Sequence, residues 1–189
     1  MVLASLYGRE YFWVPVLLVM FLFGRPGMKL LAIELGVLFA AGVVAGELSK
    51  VVIDRMRPFE TIGGLVTRVS IDSSSSFPSG HALITSIGAS FAIIKFRNRI
   101  AVVLLTLEAA IVCYSRVYVG MHYPLDVAAG ILLGVAITSL GLLVMETVLR
   151  RHLSRLTSVL EKIMKPVHLP EVLGTGLHDQ TAPASKGPA

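Results

Sequence analysis

Tyr114–Asp126 reads YSRVYVGMHYPLD, and it joins two apolar runs, Ile100–Tyr114 and Leu125–Val148. A polar junction between two such runs sits where two membrane helices meet water. It holds Ser115, Arg116, His122 and Asp126. Arg116 keeps its charge at any working pH and presents a planar fork of donors suited to phosphate. His122 serves as nucleophile or proton carrier near neutrality. Pro124 suits the first position of a new helix, where a missing N–H has no partner to lose. Asp126 then falls in the first turn, where the helix dipole favours a carboxylate. From there it is expected to reach back to His122 and fix which ring nitrogen carries the proton, as the orienting acid of a triad does.

Composition sets the solvent. Of 189 residues, 54% are hydrophobic and 15% are charged, with mean hydropathy +0.77. Soluble domains average about 45–50% apolar and about 25% charged, so the chain reads as an integral membrane protein. One cysteine, Cys113, excludes an internal disulfide or a cysteine metal cluster. The net charge of +5 calls for no nucleic acid, because short basic loops orient membrane proteins.

Working outward, about five spans are expected. Tyr11–Gly24 is short and is read as a retained first span; a signal peptide would need a basic start and a small-residue cleavage site, and this stretch has neither. Leu30–Ile53 is the second, closed by Arg57-Pro58. A third opens at Pro78-Ser79-Gly80-His81 and runs to about Ile94; Ile100–Tyr114 and Leu125–Val148 complete the set. His152–Val167 is an amphipathic surface-helix candidate, and the Gly/Pro/Ala/Ser-rich chain from Leu173 reads as disordered. The resulting division is a transmembrane domain over 1–155, a surface helix over 156–172 and a cytoplasmic tail over 173–189. Basic turns at Arg25/Lys29, Lys95–Arg99 and Arg150–Arg155 share one side, which is cytoplasmic by the positive-inside rule. The opposite side collects Lys50, Arg57, Ser79, His81, Arg116, His122 and Asp126.

Lys50 and Arg57 are seven residues apart, so a continuous helix would project both from one face. Lys50 could equally pair with Glu47 or Asp54. Arg55 and Arg68 read as solvated or headgroup-facing, and the serines 73–76 as a flexible linker. Ser79 is a good N-cap. Gly80 lets a ligand approach the backbone, and the N–H groups of the helix start form an anion site. His81 then stands ready to protonate a leaving oxygen. These are the parts for metal-free phosphoryl transfer through a phosphohistidine. His122 attacks and Asp126 stabilises its imidazolium. Lys50, Arg57, Arg116, Ser79 and the Gly80 amide hold the equatorial oxygens, and His81 acts as acid and then base. No acidic cluster suggests a dinuclear metal site, so no metal or cofactor is expected.

Lys50-x6-Arg57-Pro58, Pro78-Ser79-Gly80-His81 and Ser115-Arg116-x5-His122-x3-Asp126, in that order, resemble the three-part signature of the type 2 phosphatidic acid phosphatase superfamily. That superfamily also includes vanadium haloperoxidases and bacterial acid phosphatases. The resemblance implies an all-α membrane bundle of five to six spans with a haloperoxidase-like core. It implies the same residue roles, Gly80 as a backbone donor, and a site at the extracytoplasmic surface of the cell membrane. Membrane members commonly have six spans, so a leading helix is expected to be absent here or to lie upstream. The substrate expected is a lipid phosphate in the bilayer, with an isoprenoid diphosphate of the undecaprenyl type preferred by analogy. Phosphatidylglycerol phosphate and phosphatidic acid are the alternatives. A vanadate-dependent haloperoxidase and a non-catalytic phospholipid binder or transporter are the readings from other classes. Glu34 and Glu108 lie inside spans without an assigned partner, with interhelical hydrogen bonding the expected role.

Overall fold

The computed structural model describes residues 10–64, 67 and 74–149; the proposed surface helix and tail lie outside them. The described residues form helices α1 (Glu10–Phe23), α2 (Pro26–Ile53), α3 (Pro58–Thr61), α4 (Gly80–Lys95), α5 (Arg99–Tyr118) and α6 (Pro124–Val144). A turn of π-helix, Met145–Leu149, continues α6. The chain is an all-α membrane bundle. Three helices are long and apolar enough to cross a bilayer: those opening at Pro26, Arg99 and Pro124. The apolar helices Phe12–Phe23 and Gly80–Lys95 are shorter.

The shortness of α4 has a physical reason. It is the central helix, packed against α2, α5 and α6, and is buried without a break from Ala82 to Ala89. It carries Thr85 and Ser86 into the interior, the Thr85 hydroxyl donating to the His81 carbonyl at 3.0 Å. Because water is absent from the bilayer core, close helix contact comes from small residues rather than from hydrophobic expulsion. Gly130, Gly134 and Thr138 recur every four residues along α6. A Cβ on Gly130 would stand 2.7 Å from the Ser79 carbonyl oxygen, and one on Gly134 would stand 2.7 Å from that of Leu83. Only glycine lets α6 lie this close to α4. Trp13 fixes α1 in the core cluster with Leu35, Leu38, Leu83, Ile87 and Phe91.

Two sequence expectations change at the helix ends. α2 stops at Ile53, because Asp54 takes a left-handed conformation (φ 36°), so Arg57 is not on the face of α2 that carries Lys50. It is instead the N-cap residue of α3. α5 runs on to Tyr118, which places Ser115 and Arg116 in its last turn rather than in a loop. At the end of the bundle away from these residues, Lys95 of α4 bridges Glu34 of α2 at 3.2 Å and Glu146 of the π turn at 3.4 Å. Glu34 thus has an interhelical partner. Both carboxylate oxygens of Glu108 are buried with no hydrogen-bond partner among the described residues.

Candidate active site

Alternation of the helices brings the C-termini of α2 and α5 and the N-termini of α4 and α6 to one end. Lys50, Arg57, Ser79, Gly80, His81, Arg116, His122 and Asp126 all lie there. α5 ends in a reversal: Gly120 is left-handed (φ 75°), and the N–H groups of Met121 and His122 donate back to the Arg116 carbonyl at 3.2 and 3.3 Å. Capping carbonyls in this way is the usual work of a glycine past a helix end, and here it turns His122 inward over α5. α6 then starts as the sequence implies, with Pro124 in its first turn and Asp126 accepting from the Tyr123 N–H at 3.0 Å. Ser79 caps α4 by accepting from the Ala82 N–H. The Ser79 N–H itself donates to the Asp126 carbonyl at 3.0 Å, so the two helix starts are tied together. Gly80 and His81 open the first turn of α4, and Lys50 lies in the last turn of α2.

His122 is 4% exposed. Its Nδ1 lies 2.7 Å from the Ser76 carbonyl oxygen and its Nε2 lies 3.5 Å from Arg57 Nη1. A carbonyl can only accept, so Nδ1 carries the proton, and Nε2 presents its lone pair beside a guanidinium. Arg57, 2% exposed, is locked by its Nε–H to the Ser74 carbonyl (2.8 Å), by Nη2 to Ser74 Oγ (3.1 Å) and by Nη1 to the Met121 carbonyl (3.2 Å). Burial and then the positive charges of Arg116, Arg57 and Lys50 push the His122 imidazole down to about 3, against a partial lift from the bond to Ser76. Three cations therefore act on one unprotonated ring, though Lys50 also pairs with Glu47 at 2.9 Å.

The expected Asp126–His122 hydrogen bond is absent. Asp126 Oδ2 stands 4.0 Å from His122 Nδ1, beyond bonding distance. Its oxygens are taken by Arg55 Nη1 (2.7 Å), Ser76 Oγ (2.5 Å) and the Tyr123 N–H. Three residues were therefore underrated from sequence. Arg55 is an ion-pair partner, where a solvated residue was expected. Ser74 and Ser76 belong to the site wall, where a linker was expected. A serine run just ahead of Pro78-Ser79-Gly80-His81 was the available signal for the serines. Nothing local marks Arg55, whose partner is 71 residues away. A polar hollow of about 450 Å³ lies beside this wall, lined by Asp54, Arg55, Met56, Glu60, Ser74 and Ser75.

The signature of the PAP2 superfamily matches residues 31–150. The chain is 41% identical over 147 residues to an undecaprenyl-diphosphatase of Sulfolobus acidocaldarius, covering 78% of this chain and 70% of that protein. Among solved structures, the PAP2-type phosphatidylglycerolphosphate phosphatase of Bacillus subtilis superposes with a TM-score of 0.62 at 25% identity, covering 77% of this chain and 74% of that one. Aquifex aeolicus LpxE superposes with a TM-score of 0.58 at 24% identity, covering 74% and 81%, a likeness of fold.

Proposed function

We propose, from the premise that this chain belongs to the PAP2 superfamily and is a membrane lipid phosphatase, that it removes the terminal phosphate of an isoprenoid diphosphate through a phosphohistidine. The observation that carries the reading is the placement of His122: buried, with Nδ1–H bonded to the Ser76 carbonyl and the Nε2 lone pair facing Arg57 Nη1 at 3.5 Å, and with burial and neighbouring cations favouring the unprotonated ring. An imidazole prepared in this way is a nucleophile rather than a proton donor.

Lys50, Arg57 and Arg116, with Ser79 and the Gly80 amide, bind the terminal phosphate. Their charge counts most when the equatorial oxygens carry the transition-state charge. Nε2 of His122 attacks phosphorus, and the bridging P–O bond breaks. His81 gives its proton to the departing oxygen, so the lipid monophosphate leaves. His81 then takes a proton from water as that water attacks phosphorus. The P–N bond breaks, its electron pair returns to Nε2, and inorganic phosphate is released. Charge neutralisation comes from side chains, so the reaction proceeds in EDTA. Asp126, 4.0 Å from the ring, steadies the imidazolium charge without taking its proton. The name of the 41%-identical relative supports the isoprenoid diphosphate. The positive-inside distribution of Arg25, Lys29, Lys95 and Arg99, at the far end of the helices, supports an extracytoplasmic site.

The test is phosphate release from a long-chain prenyl diphosphate in detergent with EDTA. Wild type should turn over, and acid-labile label from a terminally labelled substrate should be trapped on the protein. His122→Ala should lose turnover by at least roughly 10³-fold with its helix content unchanged. A His122→Ala protein that still turns over sinks the phosphohistidine. A substrate panel in which phosphatidylglycerol phosphate or phosphatidic acid is preferred sinks the prenyl assignment alone.

A further inference from the structure

Serines 74–76 lie outside the three signature segments, yet they run in a fixed register beside the end of the first. Arg55 sets that register with its main chain: its N–H donates to Ser75 Oγ at 2.9 Å, and its carbonyl accepts from the Ser76 N–H at 2.8 Å. The register brings Ser74 against Arg57, two residues on from Arg55. One residue then meets one edge of the guanidinium with two acceptors. Nε–H donates to the Ser74 carbonyl at 2.8 Å, and Nη2 donates to the Ser74 hydroxyl at 3.1 Å. Nε and Nη2 are the two nitrogens of a single edge of the planar fork. Nη1, at the end of the fork, bonds the Met121 carbonyl at 3.2 Å and lies 3.5 Å from His122 Nε2.

We propose that Ser74 is a positioning residue for phosphoryl transfer: its carbonyl and hydroxyl together clamp the side edge of the Arg57 guanidinium, so that the end of the fork faces the phosphate at His122 Nε2. This rests on the reading of His122 as the nucleophile and Arg57 as a donor to the phosphate. The physical reason is rotational. An arginine side chain has several free torsions, and one bond to an edge lets the guanidinium plane swing about that bond. Two bonds to the same edge fix the plane. A donor fixed before the reaction needs no reorganisation when charge develops on the equatorial oxygens. Both acceptors are neutral, so the clamp orients Arg57 without pairing its charge. Any residue at this position would supply the carbonyl. The hydroxyl depends on the side chain, and alanine would keep the first acceptor and lose the second. Ser74 acts on the reaction only through Arg57.

The experiment is a mutant cycle on the full chain in detergent, read by release of labelled phosphate from a prenyl diphosphate so that slow variants remain measurable. Ser74→Ala should lose roughly 5–20-fold in kcat, with KM within about threefold and the thermal midpoint within about two degrees of wild type. Ser74→Thr restores the hydroxyl and should bring kcat back to within about threefold of wild type. Lysine has no edge to clamp, so in the Arg57→Lys background Ser74→Ala should change kcat by less than about twofold. A serine that merely supports the fold would lower the midpoint and cost the same factor in both backgrounds. Should Ser74→Ala fail to fold, Ser74→Cys, which fills a similar volume with a weak acceptor, is read in its place. A kcat in Ser74→Ala equal to wild type overturns the proposal, as does an equal loss in the Arg57→Lys background or a Ser74→Thr protein no better than Ser74→Ala. If wild type releases no phosphate, the phosphatase reading fails, and the clamp is judged by calorimetry with orthovanadate in the absence of EDTA. Orthovanadate takes the five-coordinate geometry of phosphoryl transfer, and its Kd should rise roughly 5–20-fold in Ser74→Ala but not when the same change is made in Arg57→Lys. An unchanged Kd, or a wild type that binds no orthovanadate, overturns the clamp as well.

Discussion

At the end of the bundle away from the site, Lys95 lies between two carboxylates, Glu34 and Glu146. At the site end the signs are reversed around His122: Lys50, Arg57 and Arg116 all act on the ring as positive charges. Arg57 is met there by neutral acceptors, the carbonyls of Ser74 and Met121 and the Ser74 hydroxyl. Both ends bury charge, which is costly in a membrane protein unless something answers it. At one end the protein answers it with its own carboxylates. At the other, Lys50 pairs with Glu47 and Arg55 with Asp126, yet Arg116, Arg57 and Lys50 still act on the His122 ring as positive charges. That is the difference expected between a structural ion cluster and the proposed phosphate site.

Substitutions at the two ends should therefore fail in different ways. Between charged residues of the two ends, the larger expected effect is that of Arg57→Ala. In the proposed reaction Arg57 is a donor to the transition-state oxygens, whose removal costs roughly 10²–10³-fold in turnover, and kcat/KM for phosphate release should fall at least that far. If Arg57→Ala unfolds more easily but keeps kcat/KM per folded molecule, the contrast between the ends is wrong. Glu34→Gln comes next, with the opposite signature. Leaving a buried partner short of its bond costs about 1–3 kcal/mol, so the thermal midpoint in detergent should drop by several degrees while kcat/KM stays within about twofold. A large loss of turnover at unchanged midpoint would assign the far cluster a part in the reaction.

A third expected effect is on pH dependence. His122 titrates near 3 in the folded protein against an ordinary 6.5. Between those values the unfolded chain binds a proton that the folded one does not. Stability therefore rises with pH through this window, and it is lost as pH falls from 6.5 toward 3, by at most about 1.4 kcal/mol per unit. The stability difference between wild type and His122→Gln should narrow or reverse over that range and be flat above it. The same shift leaves the proposed nucleophile unprotonated over most of that window, so kcat/KM should show no acid limb at 6.5 that belongs to His122. An imidazole that titrates near 6.5 in the resting protein would remove the argument for a persistently positive cup.

The local features of this chain were legible because their causes are local. Apolar run length placed five helices, Pro124 and Ser79 marked two helix starts, and alternation through the bilayer put both histidines and the basic signature residues at one end. Asp126 was rightly placed in a first turn, because a carboxylate beside free N–H groups is favoured by the helix itself. Its partner was not legible, since the bond to Arg55 spans 71 residues and depends on how the end of α2 folds over α6. The end of α2 was misjudged for a related reason. Lys50 and Arg57 have helical spacing, but Asp54 turns left-handed and breaks the helix between them. Least legible was the acceptor that settles the state of His122: a backbone carbonyl is the same group at every residue, so the sequence holds no sign that Ser76 is the one that points at Nδ1. Side-chain chemistry and helix boundaries follow from residue type and neighbours, and these determined the class of protein and which residues gather at one end of the bundle as its candidate site. Which groups touch within that site depends on packing between segments far apart in the chain, and only the tertiary structure decided it.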